Sequence, residues 1–212
     1  MEKITDKKEL VQRFRTEAIL DAAIKVIALR GLDKATLEQV AAEAGISKAT
    51  IYLYFRNKED LYYQCVVDRF RRITATMKEA AADVDDPVER IRVLITAQTH
   101  AIETNADFFR VFLTERLGFF LDQSTEFGQG FRQLHDEYSS MIIDALREGM
   151  DRGVLRDMDP VKAFYLLFSM VRGMAMHGII CECGISGDGP ARPLDAGLIL
   201  DTFFNGIMKY TG

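Results

Sequence analysis

The chain has 212 residues, of which 48% are hydrophobic and 28% charged; this excludes a disordered polymer and allows a small domain joined to a larger one. No apolar N-terminal leader is visible, the most apolar stretch (161–181) is interrupted by Lys162 and Arg172, and three cysteines make no disulfide framework, so the expectation is a cytoplasmic chain without a membrane span. The net charge of −5 divides into 14 Lys+Arg against 11 Asp+Glu in residues 1–72, a balance of +3, and 13 against 21 in residues 73–212, a balance of −8, which puts the field favourable to nucleic acid at the N-terminal end.

Residues 1–8 are polar and expected to fray, with Lys3, Lys7 and Lys8 available to a phosphate. From about 9 to 29, Ile19, Ala22, Ala23, Val26 and Ile27 recur at helical spacing, and Gly31 stands where a helix C-terminus needs a left-handed residue. Thr36 and Gln39 have the spacing of a capping box, so a second helix starts at Leu37, carries Val40, Ala41 and Ala44 on one side, and stops at Gly45. Ser47 caps a third helix in which Ile51 and Phe55 point inward with Ile46, leaving Lys48, Ala49, Thr50, Tyr52 and Tyr54 toward solvent. Two short helices across a glycine turn are either an ordinary helical hairpin with a solvated face or a helix-turn-helix, whose second helix enters the DNA major groove. The exposed set suits the latter: lysine and hydroxyl donors for phosphates, Ala49 and the Thr50 methyl for a thymine methyl, and Lys48 or Thr50 for a base edge.

The run Gly45-Ile46-Ser47-Lys48-Ala49-Thr50-Ile51-Tyr52-Leu53-Tyr54-Phe55-Arg56-Asn57-Lys58-Glu59-Asp60-Leu61 resembles the signature of the TetR/AcrR family of bacterial transcriptional regulators, a likeness spanning about residues 10–65. The resemblance implies an all-α fold with a three-helix DNA-binding domain (1–57) and an effector-binding and dimerisation domain (58–212), joined through a helix over 58–82. It implies DNA contacts from Thr36, Lys48, Thr50, Tyr52, Tyr54 and Lys58, mostly to phosphates, and with Ser47 and Ala49 at the start of the third helix these make the contact set expected at a palindromic double-stranded operator. The implied role is a homodimeric repressor released by a small apolar or amphipathic effector, such as a fatty acyl thioester or another lipophilic compound.

Asn57 caps the fourth helix, whose apolar stripe of Leu61, Cys65, Phe70, Ile73 and Met77 runs to about 82, with Cys65 read as a small buried hydrophobe. Asp86-Pro87 starts a fifth helix to about 103, with Ile91, Leu94, Ile95 and Ile102 inward and His100 near the same side. Asn105 is placed to cap a sixth, over 106–121, and a seventh over 128–152 buries Phe131, Leu134, Tyr138, Met141, Ile142, Ala145 and Leu146. The seven phenylalanines from Phe108 to Phe131 are core or the wall of an apolar cavity, and the effector pocket is assigned to His100, Phe109, Phe112, Tyr138, Met174 and His177.

Asp159-Pro160 opens the eighth of about nine helices, over 161–181, which is apolar around so much of its circumference that it must be covered on two sides; the ninth, over 194–210, repeats the pattern. A homodimer seam is therefore expected at Phe164, Phe168, Met170, Val171, Leu200, Phe203, Phe204 and Ile207. His177, Cys181 and Cys183 give the alternative of a metal or redox sensor in the same fold, but their spacing matches no strong zinc pattern, so neither metal nor cofactor is expected. No phosphate loop, nucleophile elbow or convincing carboxylate pair is present; the remaining alternative, a small-molecule enzyme on a helical bundle, is not adopted.

Overall fold

The computed structural model describes residues 2–114, 122, 124–182 and 193–207, which form nine helices. These are α1 (Glu2–Arg30), α2 (Leu37–Glu43), α3 (Lys48–Ile51), α4 (Lys58–Ala81), α5 (Pro87–Thr104), α6 (Ala106–Thr114), α7 (Glu126–Asp151), α8 (Pro160–Glu182) and α9 (Ala196–Ile207). The all-α architecture follows from caps that the sequence states openly. Asp86 accepts from Glu89 N at 2.8 Å, and Pro87, lacking an N–H, takes a first-turn position where none is required. Asp159 does the same before Pro160, accepting from Val161 N at 2.9 Å.

One boundary differs from the sequence expectation. Residues 2–8 are helical, continuous with the rest of α1, because nothing between Glu2 and Lys8 breaks a helix. α6 starts at Ala106 as expected, directly after Asn105, which also ends α5 and donates from its side-chain nitrogen to Ala101 O at 2.8 Å. The expected continuation of the sixth helix over 115–121, with Phe119 and Phe120, lies outside the described residues.

The chain divides into two compact units, residues 1–69 with 107–128 and residues 70–106 with 129–212. The sequence expectation divided it between 57 and 58; by contacts, the division falls inside α4, and α6 belongs with the N-terminal helices. In the first unit α1 packs on α2 and α2 on α3. Ile19, Ala23, Ile27, Leu32, Val40, Ile51, Phe55 and Leu61 are buried there. Cys65 is buried too, its thiol pushed up by that burial, with Sγ 3.6 Å from Leu20 O. Phe108, Val111 and Phe112 join this unit as core, and the Arg69 guanidinium lies 6.0 Å from the Phe108 ring centroid.

In the second unit, Ile91, Leu94 and Ile95 of α5, Leu134, Ile142 and Leu146 of α7, Phe164, Leu167 and Val171 of α8, and Ile199, Phe203 and Phe204 of α9 form the core. The start of α5 is clamped to the end of α7 by Arg90, which donates to Val84 O at 2.8 Å and to Glu148 Oε2 at 2.7 Å; Arg152 binds the same carboxylate. These donors, Arg90 first, hold the Glu148 carboxyl below its ordinary range.

The turn between α2 and α3 rests on Gly45. Its φ is +68°, its N–H bonds Ala42 O at 3.2 Å, and the Ile46 N–H bonds Ala41 O at 2.9 Å, the paired bonds of a Schellman ending. A Cβ at Gly45 would meet nothing within 4 Å, so the requirement is conformational and not steric. Gly45→Ala should therefore cost about 1 to 2 kcal/mol through backbone strain alone. Thermal unfolding followed by circular dichroism should show a midpoint lowered by several degrees with the helical content of the folded protein unchanged.

Candidate nucleic-acid interface

The site begins with caps. Thr36 Oγ1 accepts from Gln39 N at 3.3 Å while Gln39 Oε1 accepts from Thr36 N at 3.1 Å, so the capping box is complete. Ser47 Oγ accepts from Thr50 N at 3.1 Å and lies 2.8 Å from Thr50 Oγ1. The third helix is shorter than the sequence pattern implies. It ends at Ile51, and Tyr52 to Tyr54 form a turn closed by Leu53 N to Thr50 O at 3.1 Å and Phe55 N to Ile51 O at 3.1 Å. Ile51 and Phe55 still anchor it, at 0% and 3% exposure, and each contributes about 1.5 to 3 kcal/mol of burial.

The eight residues expected at DNA all lie in the first unit, and the structure gives them different tasks. Ser47, Lys48 and Ala49 are exposed at the start of α3 and Tyr52 is exposed at its end, whereas Thr50 and Tyr54 are half-buried. Thr36 and Ser47 spend a lone pair on capping, and the Thr50 hydroxyl is engaged by Ser47, which leaves its methyl and one remaining hydroxyl function for a partner. Lys58 is tied inward: its ammonium donates to Leu32 O at 3.1 Å and Asp33 O at 2.8 Å, fastening the start of α4 to the loop before α2. An ammonium has three donors, so one remains for a phosphate. Asn57 Oδ1 caps α4 from Asp60 N at 2.8 Å, and the buried Asp60 carboxylate accepts from Arg56 N at 2.9 Å.

Two features of this face were not singled out from the sequence. Leu53 is 83% exposed at the tip of the turn, an apolar side chain beside the polar set. Glu38, in the first turn of α2, accepts from Lys48 Nζ at 2.7 Å and from the Tyr52 hydroxyl at 3.3 Å. The bond from Lys48 lowers the Glu38 pKa to about 2 and raises that of Lys48. A sequence pattern shows Glu38 and Lys48 on different helices and gives no hint that the turn brings them together.

The residues assigned to an effector pocket are divided between the units. Phe109 and Phe112 belong to the first, with Phe112 buried and Phe109 half-buried. Tyr138 is buried and Met174 half-buried in the second; His100 and His177 are exposed there, so His100 does not share the inward side of α5. Among the described residues of the second unit, the buried polar side chains include Thr74, Gln98, Thr99 and Ser139. Gln98 Oε1 and the Tyr138 hydroxyl have no partner at hydrogen-bond distance, although the Gln98 amide is near enough to offset part of the rise that burial imposes on the Tyr138 phenol. Phe164, Phe168 and the unanticipated His135 surround Tyr138 or its neighbours, with ring centroids 6.0 Å (Tyr138–Phe164), 6.3 Å (Tyr138–Phe168) and 6.3 Å (His135–Phe164) apart.

Of the residues expected at a subunit seam, Phe164, Val171, Leu200, Phe203 and Phe204 are already covered within the chain and can add little area on association. Phe168 and Met170 are half-buried, and Ile207 closes α9, its side chain outside the described set. The apolar surface left open is instead Val161, Tyr165 and Leu166 on α8 and Leu198 on α9. His177 Nε2 lies 3.5 Å from Cys181 Sγ, Cys183 lies outside the described residues, and no cluster of three metal-ligating side chains occurs among the described ones.

Residues 19–65 match the family model "Bacterial regulatory proteins, tetR family", and residues 84–176 match "Tetracyclin repressor-like, C-terminal domain". The fatty acid metabolism regulator protein of Bacillus subtilis is 26% identical over 155 residues, which cover 72% of this chain and 77% of that one. The HTH-type transcriptional regulator TtgR of Pseudomonas putida is 26% identical over 183 residues, 82% of this chain and 83% of its own. The crystal structure of FadR from Bacillus subtilis in complex with stearoyl-CoA shares the fold at a TM-score of 0.71 and 21% identity, over 90% of this chain and 98% of that chain.

The Lys58 geometry yields a measurable distinction. Lys58→Ala removes two charge-assisted bonds and leaves the half-covered Leu32 carbonyl without its donor, so it should lower stability by about 1.5 to 3 kcal/mol, as read by urea unfolding. A residue serving phosphate alone would leave stability unchanged and lower only the salt dependence of DNA binding.

Proposed function

The chain belongs to the tetR family of bacterial regulatory proteins, and from that premise we propose that it is a cytoplasmic, homodimeric repressor released from a palindromic operator by a long-chain acyl thioester. It is a DNA-binding transcriptional regulator, and the observation that carries this is the α2–turn–α3 unit. Capped at both helix starts and fixed by Gly45, Ile51 and Phe55, it presents Ser47, Lys48, Ala49 and Tyr52 on one open face. Thr36, Thr50, Tyr54 and Lys58 complete the proposed contact set, with the third Lys58 donor directed to a phosphate. No catalytic step is part of the proposal.

Dimerisation through α8 and α9 is supported by the apolar surface of Val161, Tyr165, Leu166 and Leu198, which a second copy would cover. The acyl thioester is supported by two things. One is the likeness to the Bacillus subtilis fatty acid metabolism regulator and to a fold that holds stearoyl-CoA in FadR. The other is the interior of the second unit, where aromatic rings surround Tyr138, and its hydroxyl and Gln98 Oε1 are buried without partners. Such a set offers an apolar lining for a chain and a donor for a carbonyl oxygen. The effector would act through α4, whose first half belongs to the first unit and second half to the second.

A coupling of about 1 to 3 kcal/mol between the two ligands would change operator affinity by roughly five- to 150-fold. The test starts with a duplex selected by the protein from a random pool and measures its affinity by fluorescence anisotropy with stearoyl-CoA, free coenzyme A or neither. Selection should return a palindrome with half-site centres roughly 34 to 36 Å apart. Stearoyl-CoA alone should weaken binding within the stated range. Equal affinity in all three conditions would defeat the effector assignment, and failure to select any sequence would defeat the regulator reading.

A further inference from the structure

A carboxylate stands in the middle of the face proposed to meet phosphates. Glu38 comes from α2, Lys48 from the first turn of α3 and Tyr52 from its C-terminal cap, and both donors converge on one oxygen, Glu38 Oε1. All three side chains are open to solvent, with Lys48 at 67% and Glu38 at 43% exposure, so the pair adds little to stability. On a DNA-reading surface its effect is different. A free lysine ammonium is a flexible point charge drawn to the nearest phosphate, whereas a carboxylate partner cancels that charge at a distance and fixes the direction of the remaining N–H bonds.

We propose, resting on the DNA-binding reading, that Glu38 is a positioning residue for sequence readout: it withholds Lys48 from phosphates and directs its two free donors to an adjacent acceptor pair on a base edge, the O6 and N7 of guanine. Guanine is assigned because it alone presents two acceptors side by side in the major groove, and because lysine is among the side chains that pair with it. Tyr52 completes the arrangement by holding the carboxylate from the far end of α3. The ionised state of Glu38 is secured by the same contacts, which keep its pKa at about 2. In the complex, Lys48 then trades water, and not Glu38, for the base.

The experiment compares wild type, Glu38→Gln, Lys48→Met and the double variant. The probes are the selected duplex, its single-base variants and an unrelated duplex, each across a salt series. Glutamine keeps the length and an acceptor oxygen while removing the charge that holds Lys48. In Glu38→Gln, affinity for the unrelated duplex should rise several-fold and the salt slope should steepen by about one unit, because Lys48 now reaches a phosphate. Discrimination at one guanine of the site should fall by roughly five- to 150-fold, the worth of one bidentate base contact. In the Lys48→Met background, the Glu38 change should alter neither the slope nor the ranking of sites. An unchanged slope and ranking in Glu38→Gln would overturn the proposal, as would parallel weakening of every duplex, the signature of a merely structural residue. A shift in preference that persists without Lys48 would overturn it in favour of direct contact between Glu38 and a base. A wild type that selects no sequence would remove the regulator reading and this inference together, whereas selective wild-type binding with unresponsive variants sinks the inference alone.

Discussion

A helix of four residues has no stability of its own, because nucleating a turn fixes several backbone dihedrals for a single hydrogen bond. That α3 exists at all depends on the burial of Ile51 and Phe55 at its end and on the Ser47 cap at its start. The rest of the first unit serves this anchoring. The buried face of α1 and the paired α2 supply the apolar floor, Gly45 sets the angle at which the chain leaves α2, and Lys58 holds α4 to the loop that leads into α2. The side chains that point outward from α3 are therefore aimed largely by buried residues behind it, Ile51 and Phe55 among them.

What the sequence made legible was local. Thr36 with Gln39, Ser47, Asn57, Asp86-Pro87 and Asp159-Pro160 encode caps within three or four residues, and each forms the bond its type predicts. The inward stripes of α5, α7 and α8 were equally readable, since burial in a helix follows a fixed period. Interactions that depend on which elements meet were not readable. The Glu38–Lys48 pair, the use of Lys58 by two carbonyls and the aromatic surroundings of Tyr138 arise between segments whose approach no single period encodes. His100 shows the limit within one helix, because a residue can border an apolar stripe and still face water. At α8 the period revealed that both sides are apolar without saying which side the chain itself would cover; it covers Phe164 and Val171 and leaves Tyr165 and Leu166 open.

The two units also use polar groups in opposite ways. In the first, nearly every named donor or acceptor on the open face is already engaged by a neighbour, so binding requires exchange or sharing of bonds. In the second, Gln98 and Tyr138 keep polar atoms away from water with no partner, and such atoms carry a desolvation cost that a suitably placed ligand atom would relieve.

The interleaving of the units has a consequence for the gene. The chain leaves the first unit inside α4, re-enters it at residue 107 and leaves again within α7, where Phe127 lies 4.5 Å from the Tyr63 ring. The N-terminal helices consequently lack part of their own core without Phe108, Val111 and Phe112, which are encoded some forty codons downstream of residue 69. A recombination crossover between the third and fourth helices would transfer a reading head stripped of that support, so inheritance of this DNA-binding unit as an exchangeable module is restrained by packing that a linear map of the gene does not reveal.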